Sequence, residues 1–333
     1  MRIVFVTQAA DPAHPVLGAT LAKIRALAAR CDEVVVLADR VDEDALPENV
    51  RARSFAGPSQ AARGARYIGA LAPELLQRPV AVVAHMAPVY ALLAAPLTRP
   101  MRVPLLLWFT QQGAGAALRG AERVADVLLT VDKRTIPLTS PKVRAIGHGI
   151  DVDAITCVPE RRPPLRRLLG LGRYAPVKGW DTALRALVEL PDATLTVHGP
   201  QLTDTDRAYR PRLVQLAEEL GIAGRVSFGD EVAYAHVPQL LGLADALVNP
   251  THGNAADKVV YEAAAACLPV FAASPVFDTL LPDGLRFHGD YPSSLAEKVR
   301  GYAGGAGADL RERVLAEHSV EHWAERVLEA AGA

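Results

Sequence analysis

The sequence predicts an α/β protein made of two doubly wound parallel-sheet domains. Three observations carry that reading. Short apolar runs such as Arg2–Thr7, Val34–Ala38 and Val80–Ala84 lack polar–apolar alternation, as parallel strands buried on both faces do. Stretches with helical apolar spacing alternate with several of these runs. The pattern breaks at a proline- and charge-rich segment, Val158–Arg167, and then resumes, dividing 333 residues into two domain-sized halves.

Composition narrows the class. The chain is 50% hydrophobic and 22% charged with formal net charge −1, a core-forming protein without the basic surplus of a general nucleic-acid binder. Cys31, Cys157 and Cys267 are few and widely spaced; they suggest neither a disulfide framework nor a zinc site and fit a reducing cytoplasm. Ile3–Val6 is too short for a signal peptide's apolar region, and no run reaches the ~18 apolar residues of a membrane span. A cytoplasmic location is expected, with peripheral contact at the inner membrane face left open.

In chain order, Arg2–Thr7 is a strand and Gln8–Leu17 a loop with two prolines. Gly18–Ala29 is a helix and Val34–Ala38 a second strand. This β-loop-α-β opening lacks the GxGxxG of a dinucleotide site, which counts against a nicotinamide dehydrogenase. Arg51, Arg53, Arg63 and Arg66 fall around a helix-like stretch, Ala61–Leu76. They form either a solvated face or a basic amphipathic surface for an anionic membrane or acidic acceptor. Val80–Ala84 ends at His85, and Pro104–Trp108 leads to Gln111 and Gln112. Asp126–Thr130 and Val143–Ile146 follow, the latter ending at His148. Ligands of open α/β sheets sit beyond the carboxyl ends of strands, so these polar residues stand where function is expected.

Leu168–Gly172 then opens the second domain. Thr182–Leu190, Leu213–Leu220, Val237–Leu243 and Val259–Ala266 read as helices. Ala193–Val197, Val226–Phe228, Ala246–Val248 and Pro269–Ala272 read as strands, and Leu310–Ala330 as one or two terminal helices. Arg173, five residues before Lys178, places two cations beside a helix start, where free N–H groups and the macrodipole favour a phosphate or diphosphate.

Several ordered segments of the second half resemble the retaining, nucleotide-sugar-dependent glycosyltransferases of family four, which have the GT-B fold of two Rossmann-like domains. Gly172-Arg173 with Lys178-Gly179 looks like their diphosphate motif, and His198-Gly199-Pro200 like a glycine-containing strand end. Val226–Gly229, Ala244–Pro250, Glu262-Ala263 and Leu268–Val270 match further segments in order. In the first half His85-Met86, Trp108–Thr110 and Gly147–Asp151 look similar more loosely.

The resemblance implies two doubly wound domains facing each other across a cleft. Residues 1–157 would form the acceptor side, 158–167 the linker and 168–333 the donor domain, with the last helix able to pack back on the first domain. It implies Arg173 and Lys178 as catalytic groups that stabilise the leaving diphosphate, and Glu262 as the acceptor of ribose hydroxyl bonds. Gly18, Gly199, Pro200, Glu231, Val232, Asn254, Ala255, Asp257, Lys258 and Val259 complete the implied donor set. Gln8, His85, Gln111 and His148 are the acceptor-side candidates.

The sequence also departs from the family. Asn254 stands where most members carry the first glutamate of an E-x7-E pair, and Asp257-Lys258 resembles another branch. Gln111 replaces a usual histidine. Cys267 replaces a glycine that would take a left-handed helix end without penalty. Asp151-x-Asp153 and Asp204-x-Asp206 resemble the metal pair of the other major glycosyltransferase fold but lack further ligands at suitable spacing. The expectation is metal-independent retaining transfer from a nucleoside-diphosphate sugar to an acceptor hydroxyl, with no cofactor. The alternatives are a non-catalytic nucleotide-sugar binder or partner subunit, and a sugar-nucleotide epimerase. The donor sugar, nucleobase, acceptor and oligomeric state are not encoded in these motifs.

Overall fold

The computed structural model describes residues 1–14, 17–113 and 115–333, and divides into two units. The first comprises Met1–Gly149 and Glu317–Ala333; the second comprises Ile150–Ala316. Part of the expected loop Gln8–Leu17, namely Pro15 and Val16, lies outside the described residues.

The first unit holds strands β1 (Arg2–Ala10), β2 (Glu33–Val41), β3 (Val50–Ser54), β4 (Val82–His85), β5 (Leu105–Trp108), β6 (Val127–Thr130) and β7 (Val143–Ala145). They form one parallel sheet in the order β3-β2-β1-β4-β5-β6-β7. Its central strands are apolar on both faces because helices cover both; Ile3 to Val6 and Val34 to Ala38 are fully buried. Each such Val or Ile contributes roughly 1.5–3 kcal/mol relative to exposure. The first helices are α1 (Thr20–Ala28), α2 (Gln60–Leu75), α3 (Pro88–Met101) and α4 (Ala116–Val124).

Two of these elements add to the sequence expectation. The helix-like stretch Ala61–Leu76 is α2, while Val50–Ser54, VRARS, for which the sequence pattern predicts no element, is an edge strand whose arginines are neutralised. Arg51 Nη2 lies 2.8 Å and Arg53 Nε 3.5 Å from Glu74, a buried carboxylate on α2 that Arg2 also reaches. Arg63 pairs with Asp39, and Arg66 donates to the Ala56 carbonyl, so each member of the basic stretch already has an intramolecular partner. The helix α3 is hidden in sequence by Pro96 and Pro100, which normally break a helix interior.

The second unit holds β8 (Arg167–Leu171), α5 (Trp180–Val188), β9 (Thr194–His198), α6 (Asp204–Glu219), β10 (Val226–Gly229), α7 (Val237–Leu243), β11 (Ala246–Asn249), α8 (Lys258–Ala265), β12 (Val270–Ala272), α9 (Pro292–Arg300) and α10 (Gly307–His318), whose last residues pass into the first unit. Its parallel sheet has the order β10-β9-β8-β11-β12. The last helix, α11 (Val320–Ala331), packs on α1 in the first unit, with Arg30 Nη2 2.8 Å from Glu325 and Trp323 against Phe5. The proline-rich 158–167 stretch lies inside the second unit, where the Val158 N–H donates to the Ala266 carbonyl at 2.8 Å.

That contact brings together two cysteines which are 110 residues apart in sequence. Cys157 and Cys267 form a disulfide with Cα atoms 5.0 Å apart, correcting the expectation of unpaired thiols. Disulfides belong mainly to oxidising compartments, so cysteine usage no longer supports a reducing cytoplasm. Among the described residues no helix is long and apolar enough to cross a membrane. Cys267 occupies the position where glycine was expected and does adopt φ +59°. The Cys267 N–H bonds to Ala264 O and the Leu268 N–H to Ala263 O, the paired bonds of a Schellman end to α8.

Candidate active site

In an open parallel sheet the crevice forms where neighbouring strands send their connections to opposite faces. The order of the second sheet places that switch between β8 and β11. The segments leaving these two strands carry the sequence-predicted cations and carboxylates, and they meet closely. Gly179, in the left-handed conformation at φ +63°, starts α5; an added Cβ would lie 2.4 Å from the Pro250 carbonyl oxygen. The His252 N–H donates to Val177 O at 2.9 Å. Beside them an added Cβ on Gly199 would lie 1.9 Å from Gly172 O, so the turn after β9 also needs glycine to approach. The Tyr174 N–H donates to Pro200 O at 3.2 Å, and Trp180, fully buried, donates to Arg173 O at 3.0 Å.

Lys178 points to the β11 side. Its Nζ donates to Asp257 Oδ1 at 2.5 Å, with side chains 14% and 17% exposed. Asp257 Oδ2 also accepts from Asn249 Nδ2 at 2.9 Å and Thr251 Oγ1 at 2.6 Å. Burial alone would raise this carboxyl, but Lys178 and the three hydrogen bonds hold it below the usual carboxylate range. Arg173 is looser: its side chain is 40% exposed and its Nη1 stands 3.7 Å from Asp206 Oδ2. Asp206 is itself tied into the Thr203 capping box that opens α6. The second Asp-x-Asp match is therefore a helix cap, while Asp151 of the first accepts from the Ala154 N–H in a local turn.

One turn into α8, Lys258 Nζ lies 2.9 Å from Glu262 Oε1, an ion pair off the hydrogen-bond direction. The same ammonium sits 3.7 Å over the Tyr234 ring. Tyr234 is pushed well above the ordinary phenol range by burial, by the Glu262 charge and by its hydrogen bond to Glu262. Glu262 is 3% exposed and thus anchored. Asn254, Ala255 and Val259 are half-buried around this helix start. Glu231 and Val232 follow β10 on a loop whose root is pinned. Tyr174 OH donates to Val197 O and Gly229 O, while Arg210 bonds Phe228 O at 2.7 Å and Asp230 at 2.5 Å.

The first unit treats its candidates differently. Gln8, near the end of β1, and Gln111, after β5, are exposed. Gly18, placed with the donor set by resemblance, is buried in the turn before α1 and donates to His14 O. His85 and His148 are corrected: both are core residues, 3% and 6% exposed. His85 stacks on Trp108 at 4.9 Å with its Nδ1 3.3 Å from Thr7 Oγ1. Burial, then the nearby Lys23 charge, holds it neutral by pushing its pKa well below the ordinary imidazole value. Lys23 Nζ lies 4.0 Å over the Trp108 ring and 5.3 Å from that of Trp323. His148 meets the edge of Trp108 at 6.0 Å. A strand-end histidine fits either a ligand-facing or a structural place, and the aromatic cluster that decides for the structural one is assembled from distant segments.

Sequence reasoning missed Asn249, Thr251, His252 and Tyr234 as members of the site. Asn249 lies within the quoted Ala244–Pro250 match and Thr251 and His252 directly follow it, which is the signal that pointed to them. Tyr234 had none.

Residues 160–277 match the family described as Glycosyl transferases group 1. A D-inositol 3-phosphate glycosyltransferase of Mycolicibacterium gilvum is 35% identical over 143 residues, 40% of this chain and 32% of that protein. The homologous enzyme of Mycolicibacterium paratuberculosis is 28% identical over 194 residues, 55% of this chain and 38% of that protein. The chain thus spans about a third of the length of the curated relatives it matches. Among solved structures, sucrose-phosphate synthase from Thermosynechococcus elongatus superposes with TM-score 0.75 at 18% identity, covering 99% of this chain and 98% of that one. Anabaena HepE in complex with UDP and glucose superposes with TM-score 0.76 at 18% identity, covering 100% and 99%. The fold is GT-B, and the second unit resembles family-four-like glycosyltransferases.

Proposed function

We propose that this chain is a retaining glycosyltransferase that moves a sugar from a nucleoside-diphosphate sugar to an acceptor hydroxyl without a metal ion. The observation that carries the reading is the convergence of Lys178, Asp257 and Glu262 at the switch point of the second sheet, inside the segment matched by group 1 glycosyl transferases.

In this reading the donor diphosphate lies along the loop after β8. Arg173, exposed and only loosely paired, offers a planar fork to phosphate oxygens. The Lys178 ammonium has three donors, of which Asp257 uses one, so it remains anchored while bonding to phosphate. The N-terminus of α5 adds its dipole. Glu262, fixed by Lys258 and Tyr234, accepts from ribose hydroxyls. The bond from the anomeric carbon to the diphosphate oxygen breaks while the acceptor oxygen bonds to that carbon on the same face. The acceptor proton passes to the departing phosphate, and the two cations balance its developing charge. A preorganised donor of this kind is worth roughly 3–4 kcal/mol.

The UDP and glucose named for HepE make UDP-sugars the first donors to test. A panel of uridine, guanosine and adenosine diphosphate sugars is assayed for thermal stabilisation and for slow donor hydrolysis. At least one donor should give both, and hydrolysis should persist in EDTA. No response to any donor overturns the transferase reading; loss in EDTA restored by Mg²⁺ overturns metal independence.

A further inference from the structure

We infer that a cavity in the first unit takes the acceptor as an uncharged polyhydroxylated molecule, a free sugar or polyol, and disfavours phosphate monoesters. The inference rests on the transferase reading and specifies the acceptor class.

The switch point of the first sheet lies between β1 and β4. A cavity of about 460 Å³ opens there, within the ~300–1,000 Å³ of small-molecule sites. It is lined by Gln8 from β1, Asp39 from β2, Gln60 and Arg63 from the first turn of α2, and Tyr90 from the first turn of α3, the helix that follows β4. Of the two strands bordering the switch point β1 contributes directly, and β4 through the start of the helix that follows it.

The lining chemistry suits hydroxyls. A sugar hydroxyl both donates and accepts; the carboxylate accepts, the guanidinium donates, and the two amides do both. The Tyr90 ring is braced by Phe55 at 4.8 Å and Tyr67 at 4.9 Å, while Tyr67 OH donates to Tyr90 O at 3.2 Å. That gives a fixed aromatic wall for the C–H face of a ring.

The charge balance disfavours a phosphate monoester. Among the described lining residues Arg63 is the one cation and Asp39 the one carboxylate, and they are paired at 3.2 Å. A monoester brings about −1.5 to −2 charges at pH 7. It would have to draw Arg63 away and leave Asp39 facing a like charge. The arginines nearest in sequence to this pair are also engaged, Arg40 with Asp11 at 2.6 Å and Arg66 with the Ala56 carbonyl. The matched relatives are named for D-inositol 3-phosphate, an acceptor of the opposite kind.

The test uses the full chain and whichever donor it hydrolyses. Nucleoside diphosphate release is measured with myo-inositol, glucose and sucrose, and with D-inositol 3-phosphate and glucose 6-phosphate. Each rate is expressed relative to acceptor-free hydrolysis, which separates acceptor effects from donor effects. Saturation-transfer NMR on the same compounds reads binding without turnover. A neutral probe should stimulate release and bind at least tenfold better than its phosphate ester. Asp39→Asn should raise the KM for that probe about tenfold and narrow the preference, and Gln60→Ala, at an exposed position, should raise KM several-fold. A preference for the phosphate esters, no response to any neutral probe, or acceptor kinetics unchanged in both variants overturns the inference. Absence of donor hydrolysis with every donor is a different failure, that of the transferase reading.

Discussion

Lys178→Met separates an ion pair that only stabilises the fold from a phosphate clamp. The substitution keeps the apolar stem and removes the ammonium that sits 2.5 Å from Asp257. Asp257 retains Asn249 and Thr251 as donors, so its carboxylate is not stranded. The stability loss is then that of one charge-assisted bond in a mostly buried setting, about 2 kcal/mol. At 2–4 °C per kcal/mol for a domain of this size, Tm should fall by about 5 °C. The loss should depend on pH. Native Asp257 is held below the ordinary carboxylate value of about 3.9. A depressed carboxyl contributes stability in full above its unfolded pKa and loses it as pH falls through the folded value. The gap between wild type and variant is therefore full at pH 7 and closes below about pH 4. Turnover should fall ~100-fold or more, as expected for losing one preorganised charge. Scanning fluorimetry from pH 3 to 8, with and without UDP, and donor hydrolysis at pH 7 measure both effects. A variant with lowered Tm, wild-type turnover and undiminished stabilisation by the nucleotide would refute the clamp and leave Lys178 as a support for Asp257.

Three further outcomes follow from the geometry. Gly199→Ala forces a Cβ to 1.9 Å from a backbone oxygen that has no rotamer to yield; a loss of about 3 kcal/mol should appear as a lower denaturant midpoint, together with weaker nucleotide binding. Reduction of Cys157–Cys267, which closes a 110-residue separation, should cost up to about 4–5 kcal/mol on chain-entropy grounds, read as a lower Tm in dithiothreitol; Cys157→Ser should have that lower Tm already and show no further change. His318, pushed down to about 4 by burial and by His322, makes stability fall as pH drops from about 6.5 through 4, because the unfolded chain binds the proton first; His318→Gln should flatten that segment of the pH–Tm curve.

What the sequence determined by itself was local. Runs such as Ile3–Val6 and Ala246–Val248 declare buried parallel strands because both their faces must avoid water. Lys178-Gly179 marks a turn into a helix start, because a left-handed residue before α5 is a short-range requirement that glycine meets. The edge strand Val50–Ser54 escaped this logic, since its arginines look solvated until Glu74 is brought beside them. The proline-bearing α3 escaped it because propensity is overridden by packing. Only the tertiary structure decided the partners. Strand order joins Lys178 to Asp257 across 79 positions and Cys157 to Cys267 across 110. It also covers His85 and His148 with Trp108, and sets Asp39 against Arg63 in the cavity of the first unit. A side chain's pKa and ligand depend on charges and surfaces within a few ångströms, and sequence spacing does not report which distant segments supply them.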